Sequence, residues 1–478
     1  MALEWYLTLG GTEIANHSRL NTYLDTVGSP LDSQTVCGCE TFDAELVGDE
    51  PYTTPADPAS PAPWWDPAVP ESTEFCGLMV LSVDGLADYP VTRQVTGAVA
   101  GGAALGPGRT QARTITVTGV LLGVTCCGVD YGLRWLAAAL GGTTGAACGG
   151  DCLELYNCCP ATFEDPDEFA EQHRRTVRRV ALVSGPTVTA RAGTGCTGTG
   201  GCSAGADMLT VEFVLSAATP WQWTDPVTVL ETVPVPTDDG TECITWCVHG
   251  GPDAPVCVDL SDSCPSALSV PFGDGGCAGA AWPTLEDSGP CGAGCRLAPC
   301  PDLDDLCADP ACTTPAPPVP PPPATCFCYA LAVNSEAYDL DLTSFPVWFG
   351  LAPIIEVYAG SSPLRHLTIT IVERPPGTDD SISCQDLAEA GRCQAAAEIE
   401  VGYVAAGATV TVDGQIGRAL VDCAGQCEAA SDVYGAGGAP LSVPLLRAGR
   451  YCVLLEADAI ATAAADATVT IAVSGQAG

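Results

Sequence analysis

The stretch RTITVTGVLLGV, residues 113–124, alternates polar and apolar side chains. In a strand, successive side chains point to opposite faces, so Ile115 and Val117 share one face and the threonines between them share the other. The alternation predicts a strand with one buried face. Shorter patterns of the same kind recur on both sides of it, and together they predict a chain that is mainly β.

The first section of the chain, residues 1–236, has several such signals around this strand. Apolar residues at helical spacing in 131–140, ending at Gly141-Gly142, predict a short helix, and Pro166 predicts a second one over 167–172. The Gly/Ala-rich stretch 97–108 and the Pro-rich stretch 53–70 are predicted loops. We expect an N-terminal β-sandwich or barrel with one or two short helices. Its further predicted strands are 5–14 with a Gly-Gly turn, 75–83, 176–184 and 207–217.

The middle section, residues 237–324, is rich in Cys, Pro and Gly and has weak apolar periodicity. A segment of this composition buries little apolar surface, so cross-links or a metal must hold it. It ends in the proline run 315–323, which predicts a polyproline II spacer and a domain boundary.

The last section, residues 325–478, shows short strand signals separated by turns such as Asp413-Gly414. Strands at this spacing predict a β-sandwich of the jelly-roll kind. The predicted strands are 354–358, 366–372, 397–404, 408–412, 419–421, 449–456 and 467–473.

The charge of the chain is strongly negative. Its 478 residues include 58 Asp and Glu but only 17 basic residues, all of them Arg, for a formal net charge of −41. Such a surface repels phosphate backbones and anionic membranes, which disfavours capture of nucleic acid. The charge either keeps the subunit soluble or forms an acidic inner wall along which DNA slides. No apolar run reaches the ~20 residues that span a bilayer, and we read no signal peptide at the N-terminus.

Catalytic motifs are absent from the sequence. The four histidines are too few and too scattered for a metal or acid–base motif, no serine lies in a G-x-S-x-G elbow, and a chain without Lys has no P-loop. We therefore expect no enzyme activity, no catalytic residues and no cofactor.

The 28 cysteines leave two interpretations open. Cys243 and Cys247, together with Cys291 and Cys295, have a spacing that zinc can use, as do Cys148 and Cys152. The more diagnostic paired C-x-x-C pattern is absent, and small Cys-rich loops are more often disulfide-stapled, so we prefer disulfides. In the last section, Cys384 with Cys393 and Cys423 with Cys427 are candidate pairs. Adjacent cysteines at 126–127 and 158–159 also suit separate bridges.

Aromatic side chains in the last section suggest a sugar-binding surface, because sugars stack on exposed rings. The candidate contacts are Trp348, Tyr358 and Tyr434, and Phe349 and Tyr403 are further aromatic residues of the same section. The alternative, which we prefer, is that these rings pack in the core and at the edges of the sandwich.

Several short motifs occur in a fixed order along the chain. In the N-terminal section they are LGGTEIAN at 9–16, RTITVTGVL at 113–121 with GLRWL at 132–136, and RRVALVSGP at 178–186. In the last section they are PIIEV at 353–357, VTVDG at 410–414 and LRAGRY at 446–451. This series resembles the minor, or distal, tail proteins of long non-contractile-tailed phages of GC-rich actinobacterial hosts, and the motifs of the last section are similar to the C-terminal sandwich of that family.

This resemblance implies a structural virion protein at the distal end of a phage tail. The N-terminal section would form the inner belt of a ring, expected to be a hexamer, with an acidic lumen for genomic DNA in transit. The C-terminal section would be a galectin-like sandwich that projects outward. The implied partners are the tail tube protein, the tail-tip proteins and the tape measure protein, with synthesis in the host cytoplasm and no membrane contact.

Two other functions compete with the ring subunit. A carbohydrate-binding tail adhesin would use the last section to hold glycans on the host surface, and this role is compatible with the first. A secreted hydrolase is disfavoured by the scarcity of His and the lack of a nucleophile motif.

Overall fold

The computed structural model describes residues 6–27, 54–99, 101–142, 152–158, 165–193, 204–237, 242–243, 246–248, 256–258, 332–379, 381–423, 426–458 and 463–477. As the alternating strand patterns predict, the fold is mainly β with a few short helices. The N-terminal strands are β1 (Tyr6–Leu9), β2 (Thr12–Asn16), β3 (Phe75–Asp84), β4 (Val91–Gly97), β5 (Ala103–Thr110), β6 (Arg113–Thr125), β7 (Cys152–Tyr156), β8 (Arg174–Arg178), β9 (Val180–Gly193), β10 (Ala204–Ala217) and β11 (Gln222–Trp223).

The remaining strands are β12 (Val227–Pro234), β13 (Glu242–Cys243), β14 (Trp246–Val248), β15 (Val256–Val258), β16 (Ala332–Asp341), β17 (Gly350–Tyr358), β18 (Leu364–Glu373), β19 (Ala397–Val404), β20 (Thr409–Asp413), β21 (Arg418–Cys423), β22 (Gln426–Ala429), β23 (Val433–Gly435), β24 (Arg450–Asp458) and β25 (Thr468–Ala477). The helices are α1 (His17–Thr26), α2 (Cys126–Gly141), α3 (Pro166–His173) and α4 (Cys384–Gly391).

Three of the helices begin at a side chain that caps the first turn. Asn16 accepts a hydrogen bond from the amide of Arg19 in α1, Thr125 from Gly128 in α2, and Ser383 from Asp386 in α4. These caps satisfy amide groups that the helix itself leaves unpaired. The cap at Thr125 starts α2 directly at the end of β6, so the helix folds back onto its own sheet.

The N-terminal unit, residues 6–223, is built on a four-stranded antiparallel sheet with the order β3-β6-β10-β9. Helix α2 packs against one face of this sheet, and strands β1, β2, β7 and β8 add to the same core. The inward side chains of the central strands are fully buried: Ile115, Val117, Leu121, Val211, Phe213 and Leu215. The predicted alternation in β6 is confirmed, with the threonines on the opposite face.

The C-terminal sandwich, residues 227–477, has two antiparallel sheets. One has the order β13-β16-β24-β18-β19-β23, and the other contains β25-β17-β20-β21-β22 with β12 paired to β25. Both sheets contribute to one core, whose fully buried side chains include Leu367, Ile369, Ile399, Val412, Val453 and Ile471. Strand β12 falls within the predicted first section but pairs along the last strand, Val227 with Val473 and Pro234 with Thr468.

The two units are joined by one continuous sheet. Strand β11 pairs with β8 of the N-terminal unit on one side and with β25 of the sandwich on the other. The Arg178 guanidinium adds a side-chain link, donating to Asp413 Oδ2 at 2.8 Å and to Gln415 Oε1 at 2.8 Å. The ion pair is mostly buried, with 15% and 7% of the two side chains exposed. The junction is thus a packed, hydrogen-bonded part of the fold.

Several sequence predictions need correction. Residues 97–108 were expected to be a loop, but they lie in the β4–β5 hairpin, whose turn contains Gly101 and Gly102 at positive φ. The predicted strand 176–184 is two strands, because Arg179 has a φ of 57° and turns the chain from one sheet into another. The described part of the N-terminal unit has three helices where one or two were expected, and the last section, expected to be all strand and turn, contains α4.

Among the helices of the described residues, none is both long enough and apolar enough to cross a membrane.

Candidate functional site

The four-stranded sheet leaves one face open. The cross-strand pairs on this face are Thr116 with Val214, Thr118 with Glu212 and Thr114 with Ser216, and their side chains are half-buried or exposed. Most side chains on the face are hydroxyls or small groups, and it has two carboxylates and no basic residue. The face consists of Ser82, Asp84, Thr114, Thr116, Thr118, Val120, Ala181, Ser184, Thr187, Ala190, Thr210, Glu212, Val214 and Ser216.

Both edges of this sheet are also open to pairing. Within the described residues, β3 pairs only with β6, and β9 pairs only with β10. Most of β9 is exposed, including the apolar side chains of Val183 (67%) and Val188 (43%). An unpaired strand edge presents a row of backbone donors and acceptors to another chain. The sheet therefore has the features of an assembly surface.

The β4–β5 hairpin, which we call the arm, projects from the same unit. In the described part of the chain its two strands pair only with each other, and almost every residue in them is exposed. Val95 and Leu105 are opposite one another across the hairpin and are 63% and 69% exposed. An isolated two-stranded hairpin is only marginally stable in water, so contact with another surface would stabilise the arm.

The base of the arm is fixed by Arg113, which is 3% exposed. Its guanidinium donates to the carbonyl oxygens of Pro220 at 2.5 Å and Gly85 at 3.1 Å, and also to that of Leu86. Burial lowers the pKa of this group from its usual value. The positive charge of Arg113 is thus satisfied by carbonyl oxygens and not by a carboxylate. Because Gly85 and Leu86 precede the arm and Arg113 follows it, these hydrogen bonds hold the two ends of the arm together.

The candidate zinc ligands fall partly inside and partly outside the described residues. Cys243 lies in β13 and Cys247 in β14, while Cys291, Cys295 and Cys148 lie outside the described residues. Disulfides at these positions stay the prediction, with zinc as the alternative.

Disulfides are present in the described residues. Cys384 is bonded to Cys452, which ties α4 to β24 beside a small apolar cluster. The suggested pairing of Cys384 with Cys393 is therefore wrong, although Cys393 is itself in a disulfide, as are the adjacent Cys126 and Cys127. Cys76 is an unpaired, buried thiol, and burial raises its pKa to about 12, so it remains protonated and unreactive.

The three candidate glycan contacts do not lie together. Trp348 precedes the first residue of β17 and is 78% exposed, whereas Tyr358 is the last residue of that strand and is 37% exposed. Tyr434 lies in β23, in the other sheet of the sandwich. Of the two additional rings, Tyr403 is paired with Arg365 across β18 and β19, and Phe349 packs against Gly475.

A cysteine–histidine contact was not foreseen from the sequence. Cys158 Sγ lies 2.9 Å from His173 Nδ1, and the same nitrogen lies 3.0 Å from Asn157 Oδ1. The strand–helix–strand segment β7-α3-β8 brings these residues together. In the sequence, the only sign of a special role for Cys158 was its position next to Cys159. Elsewhere, burial lowers the pKa of His17 to about 4 and also lowers that of His366.

Comparison with known proteins gives little further information. No protein-family model and no curated protein sequence matches the chain. Among solved structures, the chain is similar to the SPP1 Dit (gp 19.1) protein, described as a paradigm of the hub adsorption apparatus in Gram-positive infecting phages. Sequence identity is 10% and the TM-score is 0.31, and the match covers 85% of this chain and 96% of Dit. A TM-score of this size is too low to support an assignment.

Proposed function

We propose that this chain is a non-enzymatic structural subunit of a phage tail, which forms a ring at the distal end of the tail tube. The observation that carries the proposal is the four-stranded sheet of the N-terminal unit, which has an open hydroxyl-rich face and two open edges. The ordered motifs that resemble distal tail proteins add the location in the virion.

The strand order of the sheet suits closure into a ring. Neighbouring strands in the order β3-β6-β10-β9 are all antiparallel, so the two edge strands run in opposite directions. When β9 of one copy meets β3 of the next, the new pair is again antiparallel. Repetition of this contact by rotation satisfies every edge, as heterologous interfaces do in a closed ring. Six copies, the number that the resemblance implies, would give a barrel of about 24 strands, wide enough for an open channel.

The open face would then line the channel. Its hydroxyl and small side chains, with only Asp84 and Glu212 charged, offer no basic group to hold a phosphate backbone. This lining differs from the strongly acidic wall inferred from net charge, because most carboxylates of the chain lie elsewhere. DNA in transit would pass a surface that neither binds its phosphates through basic groups nor carries many negative charges.

The sandwich would project outward, held by the shared sheet and by the Arg178–Asp413 ion pair. In this arrangement the ring joins the tube protein to the tail-tip proteins and the tape measure protein.

The proposal is tested by electron microscopy and analytical ultracentrifugation of the purified full-length chain. We expect rings with a central hole, and we expect Thr116→Arg to form the same rings, because a lumen tolerates a side chain that a protein interface would not. A chain that stays monomeric at all concentrations contradicts the proposal, and loss of rings in Thr116→Arg contradicts the placement of the open face in the channel.

The exposed Trp348, beside the 81% exposed Val347, favours glycan binding as a second function. A glycan array probed with the full-length chain tests it. Saturable binding that Trp348→Ala abolishes supports an adhesin, whereas binding that survives this change, or no binding, contradicts a role for Trp348.

A further inference from the structure

Charges of opposite sign are segregated along the N-terminal unit. Residues 20–92 contain no basic residue, whereas residues 93–129 contain Arg93, Arg109 and Arg113 and no acidic residue. Arg113 is buried, whereas Arg93 and Arg109 are exposed, so these two arginines give the stretch a positive surface. The thirteen carboxylates of the preceding stretch are Asp25, Asp32, Glu40, Asp43, Glu45, Asp49, Glu50, Asp57, Asp66, Glu71, Glu74, Asp84 and Asp88.

The acid-free stretch contains the whole arm. Arg93 pairs with Gly108 and Thr92 pairs with Arg109, so the two guanidinium groups leave the hairpin on opposite faces. Arg93 donates to the carbonyl oxygen of Gly106 at 3.2 Å, and neither arginine is in a salt bridge with any residue of the described ranges. The arm therefore combines two uncompensated positive charges with the exposed Val95–Leu105 pair.

The complementary surface is the segment 54–74, which we call the acidic segment. Trp64 fixes it to α2: its ring is 5% exposed and packs edge-on against Phe75 and Trp135, with centroids 4.9 and 5.4 Å away. Tyr131 of α2 donates a hydrogen bond to the Trp64 carbonyl oxygen at 2.6 Å. The segment is thus a well-anchored surface, and its carboxylates, all exposed or half-buried, are Asp57, Asp66, Glu71 and Glu74.

We propose that the arm of one copy docks on the acidic segment of a second copy of this chain. Arg93 and Arg109 would pair with carboxylates of the acidic segment, and the Val95–Leu105 pair would be covered by the neighbour. The occupant is a second copy because the charge needed to receive a positive arm lies on the same unit, in a segment that the arginines of its own arm do not engage. The inference rests on the proposed ring and names the contact that would hold neighbouring subunits together beside the β9–β3 edge.

Sedimentation velocity on the full-length chain tests the contact. Arg93→Glu with Arg109→Glu is expected to weaken self-association at least tenfold, and the fourfold variant that adds Asp66→Arg and Glu71→Arg is expected to restore it. The matched control is Arg365→Glu with Arg447→Glu, which makes the same change in charge at exposed sites of the sandwich and should associate like the wild type. Association of the wild type should weaken as salt rises, since partly exposed charges are screened.

The outcomes separate this inference from the proposed ring. If the wild type forms rings and the arm variant forms them equally well, the docking contact is wrong and the ring stands. If the arm variant fails but the fourfold variant does not recover, the acidic segment is not the receiving surface and the inference is overturned. A wild-type chain that never associates overturns both. Circular dichroism melting of each variant confirms that lost association is not lost folding.

Discussion

The four-stranded sheet of the N-terminal unit and the C-terminal sandwich are both built from antiparallel strands, but they differ in how much of their surface is covered. In the sandwich, each sheet covers the inner face of the other, and α4 also covers the outer side of β24, so this strand is buried almost throughout. In the N-terminal unit, the inner face of the sheet is covered by α2, but the outer face, both edges and the arm have no cover within the described residues. The core of the sandwich is thus covered within one chain, whereas the four-stranded sheet has one face uncovered in the described residues.

The largest expected effect is on the free energy of unfolding, which substitutions on the two faces of β10 should lower by different amounts. Phe213 is fully buried under α2, so Phe213→Ala should lower the free energy of unfolding by about 4 kcal/mol, through lost burial and the cavity left behind. Val214→Ala, one residue along on the open face, should cost less than about 1 kcal/mol. Denaturant unfolding followed by tryptophan fluorescence measures both. Equal losses would mean that the open face is part of the core.

The disulfide of the sandwich gives the next effect. Replacing Cys384 and Cys452 together by Ser should lower the stability of the sandwich by about 3 kcal/mol, because the bond closes a long loop in the unfolded chain. The expected readout is faster proteolysis around α4, with no change in the N-terminal unit. Reduction of the wild type under native conditions is the control, and unchanged proteolysis in the double variant would show that packing alone holds α4.

A smaller effect tests the junction between the two regions. Arg178→Ala leaves the largely buried carboxylate of Asp413 without its ion-pair partner, and we expect a loss of about 2 kcal/mol, reduced from the fully buried case by partial exposure. The matched control is Arg134→Ala, whose pair with Asp130 is exposed on α2 and should contribute less than about 0.5 kcal/mol. Differential scanning calorimetry of Arg178→Ala should show two unfolding transitions, one for each unit, and Arg134→Ala should unfold like the wild type.

The smallest predicted effect is the pH dependence contributed by His17. Burial lowers its folded-state pKa from 6.5 to about 4, so between these values the unfolded chain binds a proton that the folded chain does not. The stability is therefore fully present above pH 6.5 and is lost as the pH falls toward 4, by about 1 kcal/mol at roughly pH 5.5. Unfolding titrations at about pH 7.5 and 5.5 should show a smaller difference in His17→Gln. An identical difference in the variant would assign the pH dependence to other groups.

The sequence predicted the buried parts of the fold better than the uncovered ones. Alternation located β6 and β19 almost residue for residue, because a strand with one buried face must place its apolar side chains at every second position. The arm was missed for the same reason: it has no buried face, and its Gly and Ala residues resemble those of a loop. Helix α1 was missed because its buried residues include His17 and Arg19, which obscure an apolar stripe.

The candidate site was only half predictable. The polar face of β6 could be read from its threonines, but a polar face that meets solvent and one that meets a partner have the same pattern. The strand order that leaves β3 and β9 at the edges depends on contacts far apart in the chain. The link between Cys384 and Cys452 has a sequence separation of 68 and gave no local signal.

Strand β25 has a consequence for how the molecule is made. Its partners come from well-separated parts of the chain, as the pairs Gly350 with Gln476 and Gln222 with Ala477 show. During synthesis, β11, β12 and β17 leave the ribosome long before the strand that joins them. Until β25 is available, these strands have unfilled backbone positions, and the sandwich and its junction with the N-terminal unit must wait for the same late arrival.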